Sequence, residues 1–94
     1  MPASPEPFEI RISDEQIDDL RRRLHATRWP DAETVDDWEQ GIPLAYVQEV
    51  CAYWADKYDW REREAKLNQH PQFKLKVQGL DVHFVHVRSP EPNA

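Results

Sequence analysis

Residues 73–87 read FKLKVQGLDVHFVHV, and this stretch predicts a β-hairpin. Apolar side chains alternate with lysines over its first five residues, which is the period of a strand with one polar face. Gln78-Gly79 then suits a two-residue turn, because glycine adopts positive φ at little cost. We predict strands at about 73–77 and 80–87, the second of them apolar on both faces. Because an isolated hairpin is marginal in water, the pair is expected to need further strands.

The segment before the hairpin predicts three helices. Ser13 as N-cap and Gln16 three residues later form a capping box, so the first helix covers about residues 14–28. The second helix, at about 43–57, carries apolar side chains at helical spacing over half of its circumference. The third, at about 60–69, ends before a proline. The predicted fold class is mainly α with a C-terminal β-hairpin.

Proline and periodicity set the predicted boundaries. Residues 1–7 are rich in proline and are predicted to be a flexible N-terminus. Phe8–Ile12 alternates apolar and polar residues, as a short strand or an extended arm would. We predict a helical meander over residues 8–70, which includes a long acidic loop, then the hairpin over 71–90 and a flexible end at 91–94.

Composition excludes several classes of protein. The chain has 94 residues, a formal net charge of −6 and a pI of about 5.1, so it holds one domain at most and is not expected to bind nucleic acid. No run approaches the ~18–20 apolar residues of a membrane span, so no membrane partner is expected. The N-terminus lacks the features of a signal peptide. A single cysteine, Cys51, permits no disulfide within the chain, and a cytoplasmic location is expected.

Each candidate site for chemistry has a simpler explanation. His83 and His86 are three residues apart on a strand and face opposite sides, so they do not form a metal pair. Cys51 lies in the apolar stripe of the second helix, as a small buried hydrophobe does. The acids of the long loop lack the spacing of a calcium loop. We therefore predict no metal site and no catalytic residue.

Large aromatic side chains are concentrated in and around the second helix. Tyr and Trp are frequent anchors of protein interfaces. They form either the core of this small domain or a face that docks on another domain, since three short helices cannot cover so much apolar surface. Binding of a small ligand on the same face is a further alternative. The docking-face candidates are Trp29, Trp38, Tyr46, Tyr53, Trp54, Tyr58 and Trp60.

Several segments in a fixed order resemble the N-terminal region of microsomal-type epoxide hydrolases, which belong to the α/β-hydrolase superfamily. They are LRRRLHATRWP (residues 20–30), GIPLAYV (41–47), YDWR followed by LNQHPQF (58–73) and GLDVHFVHVRS (79–89). The resemblance runs over nearly the whole chain. It implies that the helices belong to a meander that packs around the hydrolase and its lid. It also implies that the hairpin supplies the first two strands of the central sheet.

The resemblance further implies which parts of the enzyme are absent from these 94 residues. The oxyanion-hole stretch, the nucleophilic Asp, the catalytic His with its acidic partner and the lid tyrosines of the family have no counterpart in the chain. In the intact enzyme a carboxylate would attack the epoxide, and His-activated water would hydrolyse the resulting ester. No cofactor and no metal are implied.

Two functions from different classes are therefore expected. The first is a non-catalytic N-terminal domain of an epoxide hydrolase, with the catalytic domain as its partner in cis or in trans. The alternative is a stand-alone interaction module that self-associates, for example as a dimer in which two copies exchange hairpins. A fragment, a truncated reading frame and a stand-alone protein are equally consistent with the residues.

Overall fold

The computed structural model describes residues 4–94, which form three helices and a three-stranded antiparallel sheet. No helix in this part of the chain is both long and apolar enough to cross a bilayer. The predicted helices and hairpin are confirmed, with ends that shift by a few residues. The helices are α1 (Asp14–His25), α2 (Leu44–Asp56) and α3 (Trp60–Leu67), and the strands are β1 (Glu6–Pro7), β2 (Gln72–Val77) and β3 (Leu80–Val85).

The chain divides into two compact units. One unit is the continuous segment Ile12–Asp59, which contains α1 and α2. The other joins the residues up to Arg11 to Trp60–Ala94, and it contains α3 and the sheet. We refer to them as the helical unit and the sheet unit.

Helix α1 begins as the capping box predicts. The Ser13 hydroxyl accepts a hydrogen bond from the Gln16 backbone N–H (3.1 Å), and the Gln16 side-chain oxygen accepts one from the Ser13 N–H (3.3 Å). The helix ends at His25, earlier than predicted. The Thr27 hydroxyl donates to the Leu24 carbonyl at 2.8 Å and so takes an acceptor that a longer helix would use.

Helix α2 packs against α1 in the helical unit. Its less exposed side chains recur at helical spacing and continue to Tyr58, two residues past the helix end, and they define an inner face. Among residues 4–94, Ala55 is the only buried apolar side chain, and no large side chain is fully buried. The core is therefore small. The inner face consists of Leu44, Val47, Cys51, Ala55 and Tyr58.

The sheet has the order β1-β2-β3, so β2 is its central strand. Strands β2 and β3 place Phe73 opposite Phe84, and the two rings stack with centroids 5.6 Å apart. Gln78 and Gly79 join the strands with φ values of 50° and 82°. Two successive positive φ angles are those of a type I′ turn, which suits the twist of a hairpin. The predicted two-residue turn is confirmed.

Strand β1 departs from the prediction of a flexible segment over residues 1–7. Glu6–Pro7 pairs with β2, and the Phe8 N–H continues the pairing by donating to the Gln72 carbonyl at 2.8 Å. A proline is tolerated in β1 because the strand lies at the sheet edge, where one side of the backbone needs no partner. Residues 1–3 lie outside the described part of the chain, where the prediction stays untested.

Candidate docking surfaces

One side of α2 is both apolar and exposed. Tyr46, Val50, Tyr53 and Trp54 stand at i, i+4, i+7 and i+8, so they share a side of the helix. They are exposed by 50%, 44%, 54% and 43%. Trp38 from the preceding loop is 58% exposed and meets Tyr46 edge-to-face, with ring centroids 5.2 Å apart. These five residues are referred to as the α2 outer face.

The α2 outer face is large for so short a chain. Four of its residues are aromatic, and each is about half exposed. With about 200 Å² per aromatic side chain, the four present about 400 Å² of apolar surface. A patch of that size is typical of the largest one on a monomer, and such patches often mark interaction sites. Val50 completes the face, and its helical spacing from Tyr46 is the sequence signal that would have added it to the candidates.

The other three sequence candidates lie in different surroundings. Tyr58 is half-buried and meets Tyr53 edge-to-face at 6.5 Å. Trp29 is 37% exposed and lines a cavity of about 370 Å³ beside the loop. Trp60 belongs to the sheet unit, and its indole N–H donates to the Glu64 carboxylate at 3.1 Å. The α2 outer face thus gathers the remaining four candidates, Trp38, Tyr46, Tyr53 and Trp54.

Polar side chains hold the loop between α1 and α2. The Glu33 carboxylate accepts a hydrogen bond from the N–H of Leu44, the first residue of α2, at 2.8 Å. That bond, together with one from the Glu33 N–H, holds the pKa of Glu33 below its usual value. The Gln40 side chain accepts from the Thr34 N–H (3.0 Å) and donates to the Thr34 hydroxyl (2.9 Å). These bonds order the segment that carries Trp38.

The sheet unit has a second apolar surface. Paired residues of β2 and β3 point to the same side of the sheet, so two sets of three apolar side chains share it. Exposure is high toward the turn, at 45% for Val77, 71% for Leu80 and 44% for Val82. The docking candidates from the sequence were all Trp or Tyr. The apolar residues on both faces of β3 are the sequence signal that would have added the aliphatic side chains. This sheet apolar face consists of Phe73, Leu75, Val77, Leu80, Val82 and Phe84.

The opposite side of the sheet carries a polar network. Gln72 is 5% exposed, and its amide nitrogen donates to the Leu67 carbonyl at 2.7 Å. Its amide oxygen therefore faces His83 and accepts from the ring Nε2–H at 2.8 Å. The His83 ring contacts Phe8 edge-to-face at 5.0 Å, and Lys74 Nζ lies 4.3 Å from the centroid of the same phenyl ring. His83 thus acts as a hydrogen-bond donor within the sheet unit.

Two further polar side chains hold the sheet unit together. Asn68 pairs with the backbone of Ile10, accepting from its N–H at 2.9 Å and donating to its carbonyl at 2.8 Å. Glu64 is 8% exposed and accepts from Trp60 and, at 2.9 Å, from Arg61. No buried side-chain nitrogen or oxygen in the described residues lacks a hydrogen-bond partner. The sheet unit is therefore held by satisfied polar contacts more than by an apolar core.

Comparison with known proteins connects these surfaces to a family. The protein-family model described as "Epoxide hydrolase N terminus" matches residues 5–94 of the chain. The chain belongs to this family. It is 50% identical over 88 residues to a putative epoxide hydrolase from Stigmatella aurantiaca (strain DW4/3-1), a match that covers 94% of this chain and 20% of that protein. It is 36% identical over 85 residues to epoxide hydrolase 1 from Sus scrofa, covering 90% of this chain and 19% of that protein.

Solved structures of epoxide hydrolases show the same fold over this region. The Aspergillus niger enzyme matches with a TM-score of 0.86 at 33% identity, over 97% of this chain and 24% of that one. The juvenile hormone epoxide hydrolase of Bombyx mori matches with a TM-score of 0.84 at 33% identity, over 96% and 24%. The chain therefore has the fold of the N-terminal part of an α/β-hydrolase, and the resemblance seen in the sequence is confirmed. It spans about a fifth of the length of the relatives it matches, as the 20% and 19% coverages show.

Proposed function

We propose that this chain is a non-catalytic N-terminal domain of an epoxide hydrolase, which packs on the lid and sheet of an α/β-hydrolase catalytic domain. The catalytic domain is either joined to it in cis or bound to it in trans. Hydrolysis of epoxides to diols is then the activity of the whole enzyme. The residues of this chain stabilise the catalytic domain without contacting the reacting atoms.

The apolar surface that the chain leaves uncovered carries this proposal. Ala55 is the only buried apolar side chain among residues 4–94, whereas the α2 outer face and the turn end of the sheet apolar face are exposed. At about 25 cal/mol per Å², the roughly 400 Å² of aromatic surface on α2 represents at most about 10 kcal/mol of burial that the chain does not use. Family membership supports an α/β-hydrolase domain as the partner that covers it.

A graft tests the proposal. The 88 aligned residues of the Stigmatella aurantiaca relative are replaced by the matching residues of this chain. We expect a soluble protein that melts cooperatively and forms diol from any epoxide that the unmodified relative hydrolyses. Deleting the same segment from the parent is the control, and it should abolish both soluble yield and turnover. A deleted parent that stays folded and active would contradict the proposal.

The isolated chain provides a second test of the non-catalytic role. Purified protein of 94 residues should form no diol from styrene oxide above the rate in buffer. Diol formation that a point substitution within the described residues removes would show that the chain carries its own catalytic group. The assay needs only the chain itself, so its outcome does not depend on how the graft behaves.

A self-associating module is the second candidate, and the edge of β3 favours it. Strand β3 is last in the sheet order, so its outer edge pairs with no strand among residues 4–94. Such an edge can pair with a second copy, or two copies can exchange hairpins to form a dimer. Light scattering after size-exclusion chromatography measures the mass. A dimer that Val82→Lys converts to a monomer would support this candidate, and a stable monomer would count against it.

We also propose a cytoplasmic location. The supporting observation is Cys51, a free thiol that is half-buried on the inner face of α2. A reducing compartment keeps such a thiol unmodified. Fractionation of the native host, followed by detection with an antibody against the chain, tests the location.

A further inference from the structure

We propose that the α2 outer face docks on a surface of the catalytic domain that has an apolar centre and a rim of Lys and Arg side chains. This inference rests on the proposed function and adds the chemistry of the partner surface to it. The apolar centre would cover the exposed rings. The cationic rim would face the carboxylates that border them and would fix how the two domains meet.

The segment that forms the α2 outer face contains acidic side chains and no Lys or Arg. Residues 29–56 span the long loop and α2, and they contain no Lys and no Arg. The whole chain has a net charge of −6, so the imbalance is concentrated where the aromatic rings are exposed. The acids in this segment are Asp31, Glu33, Asp36, Asp37, Glu39, Glu49 and Asp56.

Three of these acids border the α2 outer face, together with one base, Lys57, which caps α2 four residues after Tyr53. Glu49 stands three residues after Tyr46 and four before Tyr53, so it neighbours both on the helix surface. Asp56 stands three residues after Tyr53 and extends the same border toward the end of α2. Glu39 directly follows Trp38 in the loop. All three acids are exposed, so a partner surface can reach them.

The same rim argues against other occupants of the face. A two-fold contact between two copies would place the face against itself and bring three carboxylates of each copy together, with Lys57 as the cation at that border. Like charges brought together at an interface are costly. Nucleic acid and anionic lipid would meet the same repulsion. A protein surface with a basic rim offers both the apolar and the electrostatic complement.

Neutralising part of the rim in the graft tests the inference. The Asp56 Oδ1 lies 2.9 Å from His25 Nε2, so replacing Asp56 would also remove a contact within the helical unit. The test variant therefore changes the other two acids, as Glu39→Gln with Glu49→Gln. The matched control is Glu9→Gln with Glu91→Gln, which makes the same change in net charge in the sheet unit. We expect the test variant to lower the melting temperature of the graft by about 1–4 °C at low salt, and the control to lower it less. Raising the salt from about 20 mM to about 500 mM should remove the difference, since it shortens the screening length.

Footprinting by hydroxyl radicals shows where the contact lies. Oxidation of Tyr46, Tyr53 and Trp54 should fall several-fold in the graft compared with the isolated chain. Protection of these rings together with a salt-dependent effect of the test variant supports the inference.

Other outcomes overturn the inference, and they separate it from the proposed function. If the graft is folded and active but the rings stay unprotected, or the test variant matches its control at every salt concentration, the inference fails and the proposed function stands. If the isolated chain dimerises with these rings protected, a second copy is the occupant and the inference also fails. If the graft does not fold, the proposed function fails and takes the inference with it.

Discussion

Replacing Asn68 with alanine tests how residues 6–10, which we refer to as the N-terminal arm, are held in the sheet unit. The Asn68 side chain lies just beyond α3 and is half-buried. It makes both of its hydrogen bonds with Ile10, which is 58 residues away in the sequence. The side-chain amide of Asn68 thus pairs with the Ile10 backbone in the way that the backbone of a neighbouring strand would. The arm continues from Ile10 back to β1, so losing this contact should release both.

The expected cost follows from the two bonds. A hydrogen bond in a folded protein contributes about 0.5–1.5 kcal/mol net, so Asn68→Ala should reduce the free energy of unfolding by about 1–3 kcal/mol. Because 1.4 kcal/mol is a factor of ten, amide exchange at Ile10 should accelerate by about 5–140-fold. Asn68→Asp keeps an acceptor for the Ile10 N–H, which lies 2.9 Å from the side-chain oxygen of Asn68. It also replaces the Asn68 nitrogen, which donates to the Ile10 carbonyl at 2.8 Å, with a carboxylate oxygen that repels that carbonyl. It should therefore destabilise the fold while leaving the Ile10 amide better protected than alanine does.

Hydrogen exchange followed by NMR measures the effect at single amides, and denaturation in urea measures the global cost. Gln69→Ala is the matched control, because Gln69 is exposed and adjacent in the chain. It should leave exchange at Ile10 unchanged. The reasoning is refuted if Asn68→Ala and Gln69→Ala give the same exchange rate at Ile10, since the arm would then be held by other contacts.

Three further substitutions test the turn, the loop and the first helix. Gln78→Asn should stabilise the hairpin by about 0.5–1 kcal/mol in urea denaturation, because asparagine tolerates positive φ better; an unchanged midpoint would contradict this. The lowered pKa of Glu33 implies a stabilising contribution that is present above about pH 4.5 and is lost as the pH falls through the folded-state pKa. The NMR shift of the Leu44 amide should therefore titrate with a midpoint below 4.5, and Glu33→Gln should abolish that titration, whereas a midpoint at or above 4.5 would refute the assignment. Ser13→Ala should cost about 1 kcal/mol of unfolding free energy and Ser4→Ala almost none, and equal effects would show that the capping box does not stabilise α1.

Local signals in the sequence predict the elements of this fold well. The capping box at Ser13 and the alternation of the hairpin depend on neighbours a few residues apart, and both appear in the structure as expected. Strand β1 escapes this reasoning because proline suggests disorder, whereas at a sheet edge it only removes an N–H that is not needed. The pairing of Asn68 with Ile10 is also invisible locally, since no short-range pattern links them.

The candidate docking residues could also be predicted only in part from local sequence. Helical spacing predicts that α2 is apolar over much of its surface, but it does not say which part α1 covers. The structure assigns Cys51 and Tyr58 to the less exposed inner face and Tyr46 and Tyr53 to the exposed one. Trp60 belongs to the other unit, where its indole N–H donates to the Glu64 carboxylate within α3. Aromatic content identifies the anchors, and only the tertiary fold sorts them into surfaces.

The placement of β1 has a consequence for synthesis on the ribosome. Glu6 pairs with Lys74, so the ribosome must add every intervening residue before the rung can close. At about 5–20 residues per second, β1 waits roughly 3–14 s for its partner. The segment Ile12–Asp59 is continuous and can condense during that interval. We therefore expect α1 and α2 to pack together before β1 has a strand to pair with. During that interval β1 would be accessible to a chaperone.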